Sequence, residues 1–442
     1  MKSTTRRRRL VAVAAPAAVV ALLASSCSGG DTPSGVAETL DPDEQITLTV
    51  AWWGDDDRAA RYEEALDLFE EQHPNITIQS SFVAFDDYWT ARATEAAGSS
   101  LPDVMQFDSS YLREYAGTGQ LLDVTPYLGT QDGAAIDTSD VAAELIDSGE
   151  IDDAVYAVPT ATNTWATFYN PSVVEKLGLE PPAEDFTWDD LAAWTAKASE
   201  AGAGEDPALY GANDYTGVFW AFLQHLVQEG VTPFTDDGRL GFTRDDMAAW
   251  LHSGDALREA GAYFPVKRAQ QLAPEGGFTV NEQALEMSWD NFLAGYAAGS
   301  GQDDITMLPS PSGSDGEKHM FARTFQMAGS AHTEHPAAVA ALLDFFVNEP
   351  EVGRIFGTSK GVPVTQAQRD AMELEPGSVD ERVVQYEEDH ADDITEPAPI
   401  PVEGFGALEA EFKRLGEELA YGNVTVDEFV DQWFSMADSQ LS

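Results

Sequence analysis

Cysteine occurs once in this chain, at Cys27. No intrachain disulfide can form, so the fold must rest on buried apolar surface, and chemistry by a cysteine pair is excluded. Bases are scarce as well: 24 Lys and Arg stand against 77 Asp and Glu, a formal net charge of −53. A surface of that sign repels phosphate backbones and anionic headgroups, so neither nucleic acid nor a lipid face is expected as a partner of the folded part. Most of that acidity reads as solvated surface. Beyond residue 24 no apolar run approaches the roughly 20 residues that span a bilayer. Gly-x-Ser-x-Gly and phosphate-loop motifs are missing. His332-Thr-Glu-His335 lacks the spacing of a zinc-binding helix and runs into Pro336, which suits a solvated helix start. No metal and no cofactor are therefore expected.

What is present describes an exported globular chain. With 442 residues, 43% of them hydrophobic and 22 of them Phe, there is enough apolar surface for two ordinary domains. Lys2 and Arg6 to Arg9 precede an apolar run from Leu10 to Ala24, and Ser25-Ser26-Cys27 follows, the layout of a secretory signal. Leu23-Ala24-Ser25-Ser26 before Cys27 resembles a lipobox, with Ala24 where leucine is usual. That resemblance implies lipidation of Cys27 and an anchor on the outer face of the cytoplasmic membrane, the only membrane contact expected. Thr5 to Leu10 is similar to a twin-arginine signal, so the general and twin-arginine export routes both stay open. Residues 1–27 are the expected signal, and 28–44, rich in Gly, Ser, Pro and acid, a flexible tether.

The fold is expected to begin with the alternating strand Ile46 to Val50, followed by Trp52-Trp53-Gly54 and three aspartates. Arg58 to His73 has helical spacing of Tyr62, Ala65, Leu66 and Phe69, with the aspartates as caps. A strand at Ile76 to Phe82, a helix at Asp86 to Ala97 and a strand at Pro102 to Asp108 continue the alternation. Such an order implies a parallel sheet covered on both faces, with ligands beyond the carboxyl ends of its strands. Later, Thr187-Trp-Asp-Asp190 predicts a capping box, and helices are expected at 219–229, 245–259 and 337–346. Ile305 to Pro311 and Ser359 to Val364 read as further passages between domains, and a helical tail runs to Trp433.

Val155 to Pro171, VYAVPTATNTWATFYNP, is read as two short strands flanking an extended connector, because Pro159 cannot donate to a ladder. Tyr156-x-x-Pro159 followed ten residues later by Tyr169-Asn170-Pro171 resembles the crossover of the extracellular solute-binding proteins of family 1, the maltose-binding-like group. Pro102-Asp103, Gly119 to Val124, Thr187-Trp188, Asn281 to Trp289, His335 to Ala338 and Phe345-Phe346 follow the same family's pattern in order. The resemblance implies an α/β, two-lobe periplasmic-binding-protein-like fold (type II) with a ligand cleft between the lobes and several crossing segments that form a hinge. Lobe 1 would comprise 45–158 and 305–360, and lobe 2 would comprise 159–304 and 361–442. Importer permease subunits would be the partners, and the working unit a monomer.

A sugar offers hydroxyls to polar groups and flat C–H faces to aromatic rings, so its site needs both kinds of residue together. The candidate rings are Trp52, Trp53, Phe107, Tyr111, Trp165, Tyr215, Trp220, Trp289 and Phe325; the polar candidates are Asp55, Asp108, Asn163, Asp214, Asp290, Asn291 and Arg323. Any of Trp165, Trp220 and Phe325 could equally be core, whereas Trp52, Trp53 and Trp289 adjoin Gly or Asp at strand ends. Asn163 stands at the position that faces the ligand in the family. The expected function is to bind an oligosaccharide or related polyol and deliver it to a membrane importer. A glycosidase with paired carboxylates is the alternative, although chance acid pairs abound in so acidic a chain.

Overall fold

A computed structural model describes residues 37–441, apart from 131–134, 236, 274 and 397. The signal segment, Cys27 and the tether up to residue 36 lie outside the described residues. The opening strand, Ile46–Trp53, alternates as its sequence demands: Leu48, Val50 and Trp52 face one core, while Ala51 and Trp53 face another. Helix Asp56–Gln72 follows directly because Asp55 caps it, its carboxylate accepting from the Arg58 amide at 3.0 Å. Strands Ile76–Val83 and Val104–Asp108 pair in parallel on either side of Ile46–Trp53. Helix Phe85–Ala97 makes the second crossover.

The parallel arrangement ends there, which corrects the expectation of an all-parallel sheet. Ala322–Gly329, here the return strand, lies antiparallel to Val104–Asp108 and to the long strand Ala157–Tyr169. That long strand crosses the whole molecule. Its first half pairs with the return strand, and Thr162 and Ala161 also meet the short strand Val362–Pro363. Its second half, from Trp165, pairs antiparallel with Leu285–Trp289 and Thr306–Leu308. One strand of 13 residues therefore replaces the expected strand, connector and strand. Pro159 is tolerated because the ladder to the return strand slips between Phe325 and Gln326, where no donor is required of it.

The first lobe has a core on each face of its sheet. One is built on helices Asp56–Gln72 and Pro336–Asn348, the other on Tyr88, Trp89, Phe107 and Tyr115. The second lobe is mainly helical. Helices Phe219–Gln228, Arg244–Ser253, Phe405–Ala420 and Val426–Gln440 bury a cluster of Phe and Trp that includes Phe222, Phe412 and Trp433. The capping box at Thr187 forms as expected, with the Asp190 carboxylate accepting from the Thr187 amide at 3.0 Å. The helix expected over 245–259 is broken at Gly254, which ends one helix and starts Asp255–Ala260.

Two expected lobe boundaries differ from the pairing observed. Thr306–Leu308 pairs with Thr167–Tyr169, and Ile305 and Met320 pack beside Phe168, so residues 305–321 remain with the second lobe and the return comes at Ala322. After Gly361, Thr365 donates to the Val347 carbonyl at 3.0 Å and Gln368 to that of Phe346 at 3.0 Å. Residues 361–371 thus stay docked on the first lobe, and the third passage is completed only by helix Val379–Asp389, whose Val383 and Tyr386 join the Phe168 cluster.

Candidate ligand-binding cleft

Between the lobes lies a cleft of about 850 Å³, within the range of small-molecule sites. The carboxyl ends of the parallel strands form one wall, through Trp53, Phe107 and Asp108, joined by Tyr111 and by Phe85 from the next helix. The crossing and return strands supply Asn163, Arg323 and Phe325. Opposite them stand Trp220, Trp289 and Asn291, with Glu409 and Lys413 from helix Phe405–Ala420. Rings and polar groups therefore come from both lobes. Phe85 is 40% exposed and Phe292 48%, so two of the few large apolar side chains left open to solvent sit on this cleft.

Arg323 organises the polar centre. Its Nη2 pairs with Asp108 and donates to Ser110 Oγ at 2.9 Å, and its Nε donates to Ser109 Oγ at 3.0 Å. The guanidinium carbon also lies 4.4 Å from the Trp220 ring centre and 5.6 Å from that of Trp289, so one cation fixes two rings. Burial pushes the Glu409 carboxyl up to about 7, against the pull of Arg323 and a bond from Trp220. Near neutral pH it can thus donate or accept a hydrogen bond. Asn163 is buried; its Nδ2 donates to the Lys360 carbonyl at 3.0 Å, and its Oδ1 has no partner among the described residues. Burial and the neighbouring Asp108 raise the Tyr111 hydroxyl, which keeps it a neutral donor.

A two-lobed α/β molecule with an aromatic and polar interlobe cleft can be set beside known proteins. A profile of the bacterial extracellular solute-binding proteins matches residues 53–352. The chain belongs to that family. An ABC transporter extracellular-binding protein of Pyrococcus horikoshii is 24% identical over 355 residues, covering 76% of this chain and 77% of the relative. Among solved structures, a periplasmic oligogalacturonide binding protein from Yersinia enterocolitica in complex with saturated digalacturonic acid superposes with a TM-score of 0.76 at 18% identity, covering 90% of this chain and 98% of the other. An ABC substrate-binding protein from Listeria monocytogenes in complex with cycloalternan gives 0.73 at 18% identity, covering 88% and 97%. At such identities these structures establish the shared fold.

Of the residues expected at the site of this solute-binding protein, Trp53, Phe107, Asp108, Tyr111 and Asn163 reach the cleft, as do Trp220, Trp289, Asn291, Arg323 and Phe325. Five others do not. Trp52 is fully buried and stacks on Tyr62 at 4.4 Å, because strand alternation sends it to the face opposite Trp53. Asp55 is spent as a helix cap. Asp214 pairs with Arg258 at 2.9 Å and caps the turn Tyr215–Gly217, while Tyr215 packs in the second-lobe core. Asp290 is fully buried behind the cleft, accepting from the Thr164 amide at 3.0 Å. Trp165 is likewise core, its ring edge-on to Trp289 at 4.9 Å.

Sequence reasoning missed Arg58, Phe85, Asp86, Ser110, Phe292 and Thr324, together with one face of helix Phe405–Ala420. That helix carried a usable signal. Phe405, Leu408, Phe412, Leu415 and Leu419 form its buried stripe, which leaves Glu409, Lys413 and Glu417 on another face at i, i+4 and i+8.

Proposed function

We propose that this protein is the substrate-binding component of an ABC importer, taking an oligosaccharide or related polyol into the interlobe cleft and presenting it to the membrane permease. The observation that carries this reading is the placing of Trp53 and Phe325 against Trp220 and Trp289 across one cleft, with Asp108, Asn163, Glu409 and Arg323 between them. Rings cover the C–H faces of a sugar, and the charged groups make strong bonds to its hydroxyls. The Pyrococcus relative and the two saccharide-bound neighbours support the same reading. Ligand-binding roles are assigned to the ten expected residues that reach the cleft, and no catalytic role to any residue.

Incubation with a panel of oligosaccharides tests it. A cognate sugar at a hundredfold excess over its Kd should stabilise the native state by about 2.7 kcal/mol, read as a thermal shift, with no release of reducing ends. Turnover of the bound sugar would favour a glycosidase instead. We further propose that Cys27 carries a lipid that holds the protein on the outer face of the cytoplasmic membrane. Cys27→Ser should move the protein to the soluble fraction, and an unmodified, membrane-associated parent would count against the anchor.

A further inference from the structure

Acid outnumbers base threefold in this chain, and most arginines of the described residues have found a carboxylate. Arg61 pairs with Asp57, Arg92 with Glu95, Arg258 with Asp214 and Arg323 with Asp108. Arg58, on the cleft wall, makes no ion pair among the described residues. Its Nη2 donates to the Ser359 carbonyl at 2.8 Å, and its guanidinium carbon lies 5.8 Å from the Phe325 ring centre. Burial lowers its proton affinity, and the nearby exposed Asp55 and Asp57 compensate only at a distance.

A second cation stands behind it. Lys360 is 4% exposed, and its Nζ has no hydrogen-bond partner among the described residues. Aromatic rings surround that ammonium, Phe356 at 3.6 Å and Phe346 at 5.4 Å, and Phe325 lies 5.9 Å away, so Arg58 and Lys360 flank the same ring. Burial, and next to it the charge of Arg58, push the amine down to about 7. A buried guanidinium and a buried amine that is only partly charged near neutral pH are thus gathered at one wall without an ion pair among the described residues, at a cost in desolvation that a counter-ion would offset. Of the cleft carboxylates, Asp108 holds Arg323, Glu417 holds the Gln270 amide at 2.7 Å, Glu409 lies across the cleft on the second-lobe helix, and Asp86 is exposed at the start of helix Phe85–Ala97 and forms no ion pair with Arg58.

We propose that the ligand is an acidic saccharide, whose carboxylate is received by Arg58 on the first-lobe wall while its ring lies against Trp53 and Phe325. This rests on the carbohydrate reading and narrows it. A planar guanidinium matches a carboxylate through paired hydrogen bonds, and Lys360 behind it raises the potential at that point. The sugar acid would supply the counter-ion that the chain withholds.

Calorimetric titration with short oligomers of galacturonate, glucuronate and mannuronate, each beside its neutral galactose, glucose or mannose counterpart, tests the proposal. At least one uronate should bind tenfold or more tightly than its neutral partner, and more weakly as salt is raised. Arg58→Gln should reduce that ratio at least fivefold, Arg58→Lys should fall between the parent and Arg58→Gln because it keeps the charge and loses the paired hydrogen bonds, and Arg61→Gln, one turn along the helix and outside the cleft, should leave it unchanged. Urea midpoints of each variant separate lost folding from lost preference. Neutral sugars binding as well as the acids, or a ratio that survives Arg58→Gln, overturns the acidic ligand while leaving the carbohydrate reading standing. Binding of no oligosaccharide at all overturns both.

Discussion

Trp52 and Trp53 are adjacent in sequence and opposite in role, because each step along a strand turns the side chain to the other face. The sequence placed both at a strand end but could not say which face met solvent. Trp53 is itself 9% exposed and packs on Tyr88, Trp89 and Phe325, so it serves core and cleft together. Trp53→Ala should therefore lower stability by about 3 kcal/mol as well as weaken binding. Trp289 is less enclosed, and Trp289→Ala should weaken oligosaccharide binding by about 1 to 3 kcal/mol with a smaller loss of stability. A sharply lowered urea midpoint for Trp289→Ala, with affinity unchanged, would remove it from the site.

Asp290 illustrates a different failure of sequence reasoning. An acid beside a tryptophan at a strand end looked like a ligand group, yet it lies beneath the cleft against Glu387, whose Oε2 accepts from Thr162 Oγ1 at 2.8 Å. Burial, and then the charge of Glu387, raise the Asp290 carboxyl; burial also raises Glu387. Both shifts are upward, so the folded protein holds more protons than the unfolded chain once pH passes about 4. The stability contributed by the pair is complete below that pH and is lost as pH rises through the elevated folded values. Asp290→Asn, which keeps the shape and removes one charge, should leave the protein more stable than wild type at pH 8 by about 1 to 2 kcal/mol, with little gain at pH 4. Denaturant unfolding at both pH values would show this, and an equal gain at both would contradict raised carboxyls at this pair.

At the scale of elements, the sequence was informative wherever local chemistry decides. Asp55 and Thr187 were legible as caps, and the 3.6-residue spacing located helices Asp56–Gln72 and Pro336–Asn348 to within two residues. Long-range pairing was not legible. Nothing near Pro159 foretells that a return strand more than 160 residues later will absorb the proline in a register slip, making one continuous strand of the crossing. Gly361 records how tightly the third passage fits against that strand. Its φ is +120°, and a Cβ there would stand 2.1 Å from the Thr162 carbonyl oxygen and 2.8 Å from the Asn163 amide. Gly361→Ala should cost at least about 2 kcal/mol and also weaken binding, since Asn163 lines the cleft. Gly377, at φ +79° but in open space, is the control, and its alanine variant should show only the left-handed backbone cost of about 1 to 2 kcal/mol, less than Gly361→Ala. Equal effects in the two variants would mean that the close approach at the crossing carries no particular strain.

At the scale of the molecule, three passages between two lobes define the cleft, and the order of motifs along the chain pointed to that architecture more clearly than to any single contact. The second wall was the least legible part, because helix Phe405–Ala420 reaches the cleft only after the chain has returned to the second lobe late in the sequence. A smaller cavity of about 640 Å³, bordered by Arg113, Gly230, His319 and Ile400, offers a place where a ligand could sit instead. Whether a saccharide is held between the two lobes is decided by a crystal structure with the tightest-binding oligosaccharide of the panel. Sugar density is expected between Trp53 and Phe325 on one side and Trp220 and Trp289 on the other, with hydroxyls in reach of Asp108 and Glu409. Density in the Arg113 cavity, with the interlobe cleft empty, would contradict it.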